Sequence, residues 1–124
     1  MENFKKLISL LLHSRNQVHI FHWQTSGPGS FATHTALGTY YESIVDIIDG
    51  LVETYQGKYG ILKGYNNYEY LEYDSNSEFI NYFELLAKSI SSLRKDTLDS
   101  YIQNQIDTVE ELIFSTLYKL KNLS

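Results

Sequence analysis

The chain has 124 residues, a length that suits one domain spanning 1–124, and its 43% hydrophobic content is that of an ordinary globular protein. A formal net charge of −5 argues against a dominant electrostatic attraction to nucleic acid or to an anionic membrane, and is compatible with a surface that collects cations. With no cysteine there is neither a disulfide framework nor a thiolate metal site.

The N-terminal stretch MENFKKLISLLLHSRNQ has a short apolar run and then turns polar, which does not read as a signal peptide. No run of about 18 apolar residues follows anywhere. The expectation is a soluble, cytoplasmic protein without a membrane span. Residues 3–24 place Phe4, Leu7, Ile8, Leu11 and Val18 on one face at helical spacing. Ser26-Gly27-Pro28-Gly29 ends this first helix, and Ser30 is the expected N-cap of the second.

The second helix, residues 31–57, carries Leu37, Tyr41, Ile44, Ile48, Leu51 and Tyr55 as an apolar seam. Glu42, Asp46, Asp49 and Glu53 form an acidic stripe on the opposite side, the usual pattern of a solvated face. Residues 58–74, with two glycines, two asparagines and a cluster of tyrosines, read as a long crossover. The tyrosines there suit loop and interface packing better than an electron relay. Ser75-Asn76-Ser77-Glu78 is a capping box for a third helix reaching Leu93, with Phe79, Tyr82, Phe83, Leu86 and Ile90 inward. Asp96 is the expected cap of a fourth helix ending near Asn122, which buries Leu98, Ile102, Val109, Leu112 and Leu120. The expected fold is all-α: a ferritin-like four-helix bundle with its long crossover between helices two and three.

That architecture prompts a search for Glu-x-x-His, the signature of a di-iron site inside one bundle. No glutamate here has a histidine three residues on. What remains is His22 at the end of the first helix, His34 in the first turn of the second, then Asp49 and Glu53 one turn apart. Imidazoles with carboxylates suit Fe(II), Mn(II) or Zn(II). Asp49 lies about 22 Å beyond His34 along a helix, so one chain cannot gather the four. A twofold dimer can, if the acids of one copy meet the histidines of the other.

The stretch HWQTSGPGSFATHTALGTYYESIVDIIDGLVE resembles the signature of the Dps family, the mini-ferritins. His22, Trp23, Gly27, Phe31, His34, Asp49 and Glu53 fall on that family's pattern without a gap, over about a quarter of the chain. The resemblance implies Fe(II) bound between two subunits, a ferroxidase reaction with peroxide or oxygen, and ferric mineral stored in a twelve-subunit shell. His22 and His34 of one subunit and Asp49 and Glu53 of its partner would be the ligands, with the redox-capable Trp23 beside the metal. The chain departs from the pattern at Gly38, where the family commonly has an Asp ligand, and Glu42 or Asp46 would have to substitute. It also lacks a Lys-rich DNA-binding tail, Lys5-Lys6 being a poor replacement, and it is short in the crossover and at both ends.

Each residue also has a plainer reading. His22 continues the Phe4, Leu11, Val18 stripe, as a hydrogen-bonded core histidine would, and Trp23 suits simple packing at a helix end. His19 reads as a packing or supporting neighbour, and His13 as exposed. Gly38 also reads as a point of close helix approach. The alternative function is a non-catalytic ferritin-like structural or binding protein with a degenerate metal site.

Overall fold

In the computed structural model, which describes residues 2–124, four helices and no strand are formed among the described residues. They are α1 (Glu2–Gln24), α2 (Ser30–Tyr59), α3 (Asn76–Leu93) and α4 (Ser100–Asn122), with a short 3₁₀ turn at Arg94–Asp96. Among the described residues no helix is long and apolar enough to cross a membrane.

The turn into α2 is built by glycine rather than by a side-chain cap. Gly27 and Gly29 take φ of 91° and 76°, the left-handed region open to a residue without Cβ. The Ser30 amide donates to the Gly27 carbonyl at 3.1 Å, so Ser30 is the first residue of the helix and Gly29 precedes it. The expected Ser30 cap is therefore corrected to a Gly29 one with no side-chain bond. At α3 Ser75 caps the helix, with the return bond made by its hydroxyl and not by its backbone N–H: the Glu78 amide donates to Ser75 Oγ at 3.3 Å, and Ser75 Oγ donates to the Glu78 carboxylate at 2.8 Å. Ser75→Ala is expected to cost about 1 kcal/mol, read from the urea midpoint. An unchanged midpoint would show that the first turn of α3 is held by packing alone.

Phe4, Leu7, Ile8, Leu11, Val18 and Phe21 of α1 are buried against Leu37, Tyr40, Ile44, Ile48 and Leu51 of α2, and against the inward faces of α3 and α4. The seam of α2 differs from expectation at one point. Tyr40 is fully buried, while Tyr41 is half-buried and faces His19. The phenol can be buried because it has a partner. Ser14 Oγ gives its proton to the Leu11 carbonyl at 2.8 Å, so at 2.7 Å Tyr40 donates to Ser14.

Helix directions follow from contacts at the ends. Phe21 lies 4.7 Å from Phe79, and the Asn76 amide donates to the Leu120 carbonyl at 2.8 Å. The end of α1, the start of α3 and the end of α4 therefore meet. At the opposite end Phe4 stacks on Tyr55 at 4.0 Å, the Asn3 amide donates to Asp96, and Lys58 pairs with Asp99.

Residues 60–75 connect these two ends, and α1 holds them with polar side chains. Asn66 N–H donates to Ser9 Oγ at 3.0 Å, His13 Nε2–H donates to the Glu69 carbonyl at 2.9 Å, and Gln24 donates to Glu72 at 2.6 Å. Gln17, fully buried, takes the Leu71 N–H at 2.6 Å and donates to the Leu71 carbonyl at 2.9 Å. A segment without regular structure leaves its backbone groups unpaired unless side chains meet them. Ser9, His13 and Gln17, one turn apart, meet them here. His13 is thus not the exposed residue expected: it also accepts from Tyr82 at 3.3 Å and stacks on Tyr70 at 5.1 Å.

The start of α4 is corrected as well. After the 3₁₀ turn Thr97 is extended (φ −80°, ψ 122°), so the helix begins only after Asp99, and Asp96 does not cap it. Leu98 sits in this break and is 91% exposed instead of buried. The Asp99 carboxylate, 8% exposed, accepts from Lys58 and Tyr59, and from Tyr101 at 3.3 Å. The hydrogen bonds from Lys58 and then Tyr59 hold its pKa below the usual carboxylate value. A depressed folded pKa contributes stability that is present above the unfolded value, about 3.9, and is lost as pH falls through the folded one. Asp99→Asn is expected to lower the melting temperature at neutral pH, with the gap to wild type closing in acid. A gap that persists unchanged in acid would assign the effect to something other than the carboxylate charge.

Candidate metal centre

His22 lies in the last turn of α1 and His34 one turn into α2, and the glycine turn between them brings the two rings face to face. Their centroids are 3.5 Å apart with the planes 23° from parallel. Each ring bonds the backbone of the other residue: His22 Nδ1 lies 2.7 Å from the His34 carbonyl oxygen, and His34 Nδ1 lies 2.9 Å from the His22 carbonyl oxygen. A carbonyl can only accept, so each Nδ1 carries a proton, and the neutral form of each ring has its lone pair on Nε2. That tautomer leaves Nε2, one of the two ring atoms through which histidine binds metals, free to coordinate, and a backbone bond of this kind commonly fixes it. Both residues are partly exposed, so the pair is not sealed in the core.

Around the pair is an aromatic set. Tyr41 meets His22 edge-on at 5.3 Å and stacks on His19 at 3.9 Å, and Trp23 lies 4.1 Å from His19 and is 67% exposed. Partial burial first, then the neighbouring His22 and Arg15, lower the His19 pKa, while Glu42 pulls it up. Trp23 touches His19 rather than closing over the imidazole pair.

The carboxylates lie elsewhere. Asp49 and Glu53 are exposed on α2, and at 1.5 Å per residue Asp49 is about 22 Å from His34. Glu42 and Asp46 are exposed too, and none of the four makes an ion pair among the described residues. Among those residues no group of three His, Cys, Asp or Glu is placed to hold a metal ion. One copy of the chain thus brings His22 to His34 and leaves Asp49 and Glu53 apart from them.

Gly38, one turn beyond His34, is buried against the His22 ring: a Cβ there would lie 3.3 Å from His22 Cε1 and 3.5 Å from Nδ1. The position offers no ligand, and no other acid takes its place within the chain. His13 and Gln17 are the residues that sequence reasoning missed. The available signal for Gln17 was a large amide sharing a helical face with Leu10 and Phe21.

A family model matches residues 22–120: DUF5856, a family of unknown function. The matched span includes His22, Trp23, His34, Gly38, Asp49 and Glu53. No curated protein and no solved structure matches.

Proposed function

We propose that this chain, which belongs to the DUF5856 family of unknown function, is a ferritin-like mini-ferritin that binds and oxidises Fe(II) between two copies of itself. The observation that carries the reading is the reciprocal clasp through Nδ1 of His22 and His34, which leaves Nε2 as the lone-pair atom of each ring in its neutral form. The unpaired acids on α2 supply the other half of the ligand set. The helix directions, with residues 60–75 returning along α1, fit an up-down-down-up bundle with its crossover between α2 and α3.

In this reading Fe(II) is the substrate. Nε2 of His22 and of His34 bind it from one side, Asp49 and Glu53 of the partner subunit from the other, and the two carboxylates cancel the dication's charge. With peroxide as oxidant, two Fe(II) ions give one electron each, the O–O bond breaks, and two protons are taken up to leave two waters and two Fe(III). With dioxygen, the same two electrons and two protons give peroxide. The stored product is ferric mineral in a closed shell, in the cytoplasm, as protection against iron and peroxide. Zn(II) or Mn(II) suits the same donors and would compete for them. The −5 charge of these 124 residues speaks against DNA as a partner.

The test is Fe(II) oxidation under peroxide and, separately, under air, compared with buffer alone. Purified protein is expected to accelerate it. A second reading, a non-catalytic structural or binding protein on the same scaffold, is favoured by Gly38, which supplies no carboxylate. Light scattering with elemental analysis separates the two. A shell-sized particle containing iron supports the first, and a metal-free dimer with no oxidation above buffer supports the second.

A further inference from the structure

We infer that Gly38 is the positioning residue of the imidazole pair: its missing side chain is the space in which the His22 ring sits, so this position clears room for a ligand instead of supplying one. The inference rests on the metal-site reading above for its role and on contacts within one chain for its geometry.

Gly38 follows His34 by one turn, so both face α1. The nearest atoms to a Cβ at position 38 are Cε1 and Nδ1 of His22, at 3.3 and 3.5 Å. Nδ1 is also the atom bonded to the His34 carbonyl at 2.7 Å. That bond is already short, so the ring cannot move aside without lengthening or bending it. The His34 ring is stacked on His22 at 3.5 Å and bonded to the His22 carbonyl at 2.9 Å, so the disturbance passes to the second imidazole. Loss of either bond removes what holds the proton on Nδ1, and a ring free to place it on Nε2 no longer presents a lone pair to a metal. Of the three glycines inside the 30-residue helix, Gly50 and Gly57 have open space where a Cβ would stand, and Gly38 alone has a ring packed there.

Gly38→Ala tests this without threatening the fold, since alanine favours the helix. The first readout is ¹⁵N NMR of the imidazole nitrogens in metal-free protein, above the ordinary imidazole titration range. Wild type is expected to show His22 and His34 each as a single Nδ1–H tautomer, and the variant a mixture. The second is anaerobic Fe(II) titration, where the variant is expected to bind about 10-fold more weakly, the lower end of what residues behind metal ligands are worth. Gly38→Asp adds a carboxylate at the same place and is expected to bind more weakly than wild type too. Unchanged tautomers in Gly38→Ala, or tighter binding in Gly38→Asp, would overturn the inference. If wild type binds no Fe(II), the metal reading fails, while the tautomer measurement still decides the role of Gly38.

Discussion

Mixing His34→Ala protein with Asp49→Ala protein is expected to restore Fe(II) oxidation that neither variant has alone. Each single variant should lose more than about 100-fold of the rate above buffer, because even residues behind a metal ligand are worth 10–100-fold. The mixture distinguishes a shared site from a site within one chain. Within one copy the imidazoles and Asp49 are about 22 Å apart, so every complete site needs two copies. In a symmetric pair made of one variant chain of each kind, one site receives the intact histidines and the intact acids, and the other receives both defects. Random exchange puts half of the chains into such mixed pairs, so about a quarter of wild-type activity is expected. Subunits are exchanged by co-expression or by refolding together. Activity in either variant alone, or none in the mixture once exchange has been verified by mass spectrometry, would remove the two-copy site.

Gln17→Leu is expected to destabilise the chain by about 2–4 kcal/mol, a large fraction of the 5–15 kcal/mol that a domain of this kind has. The side-chain amide of Gln17 is fully buried and holds both the N–H and the carbonyl of Leu71. Leucine fills a similar volume but offers neither donor nor acceptor, leaving two backbone groups unpaired at about 1–3 kcal/mol each. The segment can relieve part of that by lifting into water, which is why the upper end of the sum is not expected. The lower urea midpoint should therefore come with faster protease cleavage within residues 60–75. A lower midpoint with unchanged cleavage there would mean that Gln17 supports the core and not the crossover, and an unchanged midpoint would refute the clasp altogether.

Much of the fold is legible in the residues because helix periodicity reports burial directly. Phe4, Leu7, Ile8, Leu11 and Val18, read at helical spacing, are all buried, and Ser75 caps α3 and bonds Glu78. Several misreadings share a physical source, which is that polar side chains choose partners distant in sequence. Tyr40 enters the core because Ser14, 26 residues away, takes its proton. Asp96, expected to cap α4, instead accepts from Asn3, 93 residues away, and the helix starts without a side-chain cap. His13 is drawn inward by a carbonyl 56 residues on. Leu98 is exposed because the chain leaves helical geometry at Thr97.

The candidate site divides along the same line. Local sequence determined that His22 and His34 flank a glycine turn between two helices, and that Asp49 and Glu53 lie on the solvent side of the second, because turn chemistry and helical period act over a few residues. Only the tertiary structure decided that the two rings stack, that each Nδ1 gives its proton to the other residue's carbonyl, and that Gly38 is the gap into which His22 fits. Those facts depend on how closely α1 and α2 approach, a distance set by the packing of the whole core and written in no single stretch of the chain.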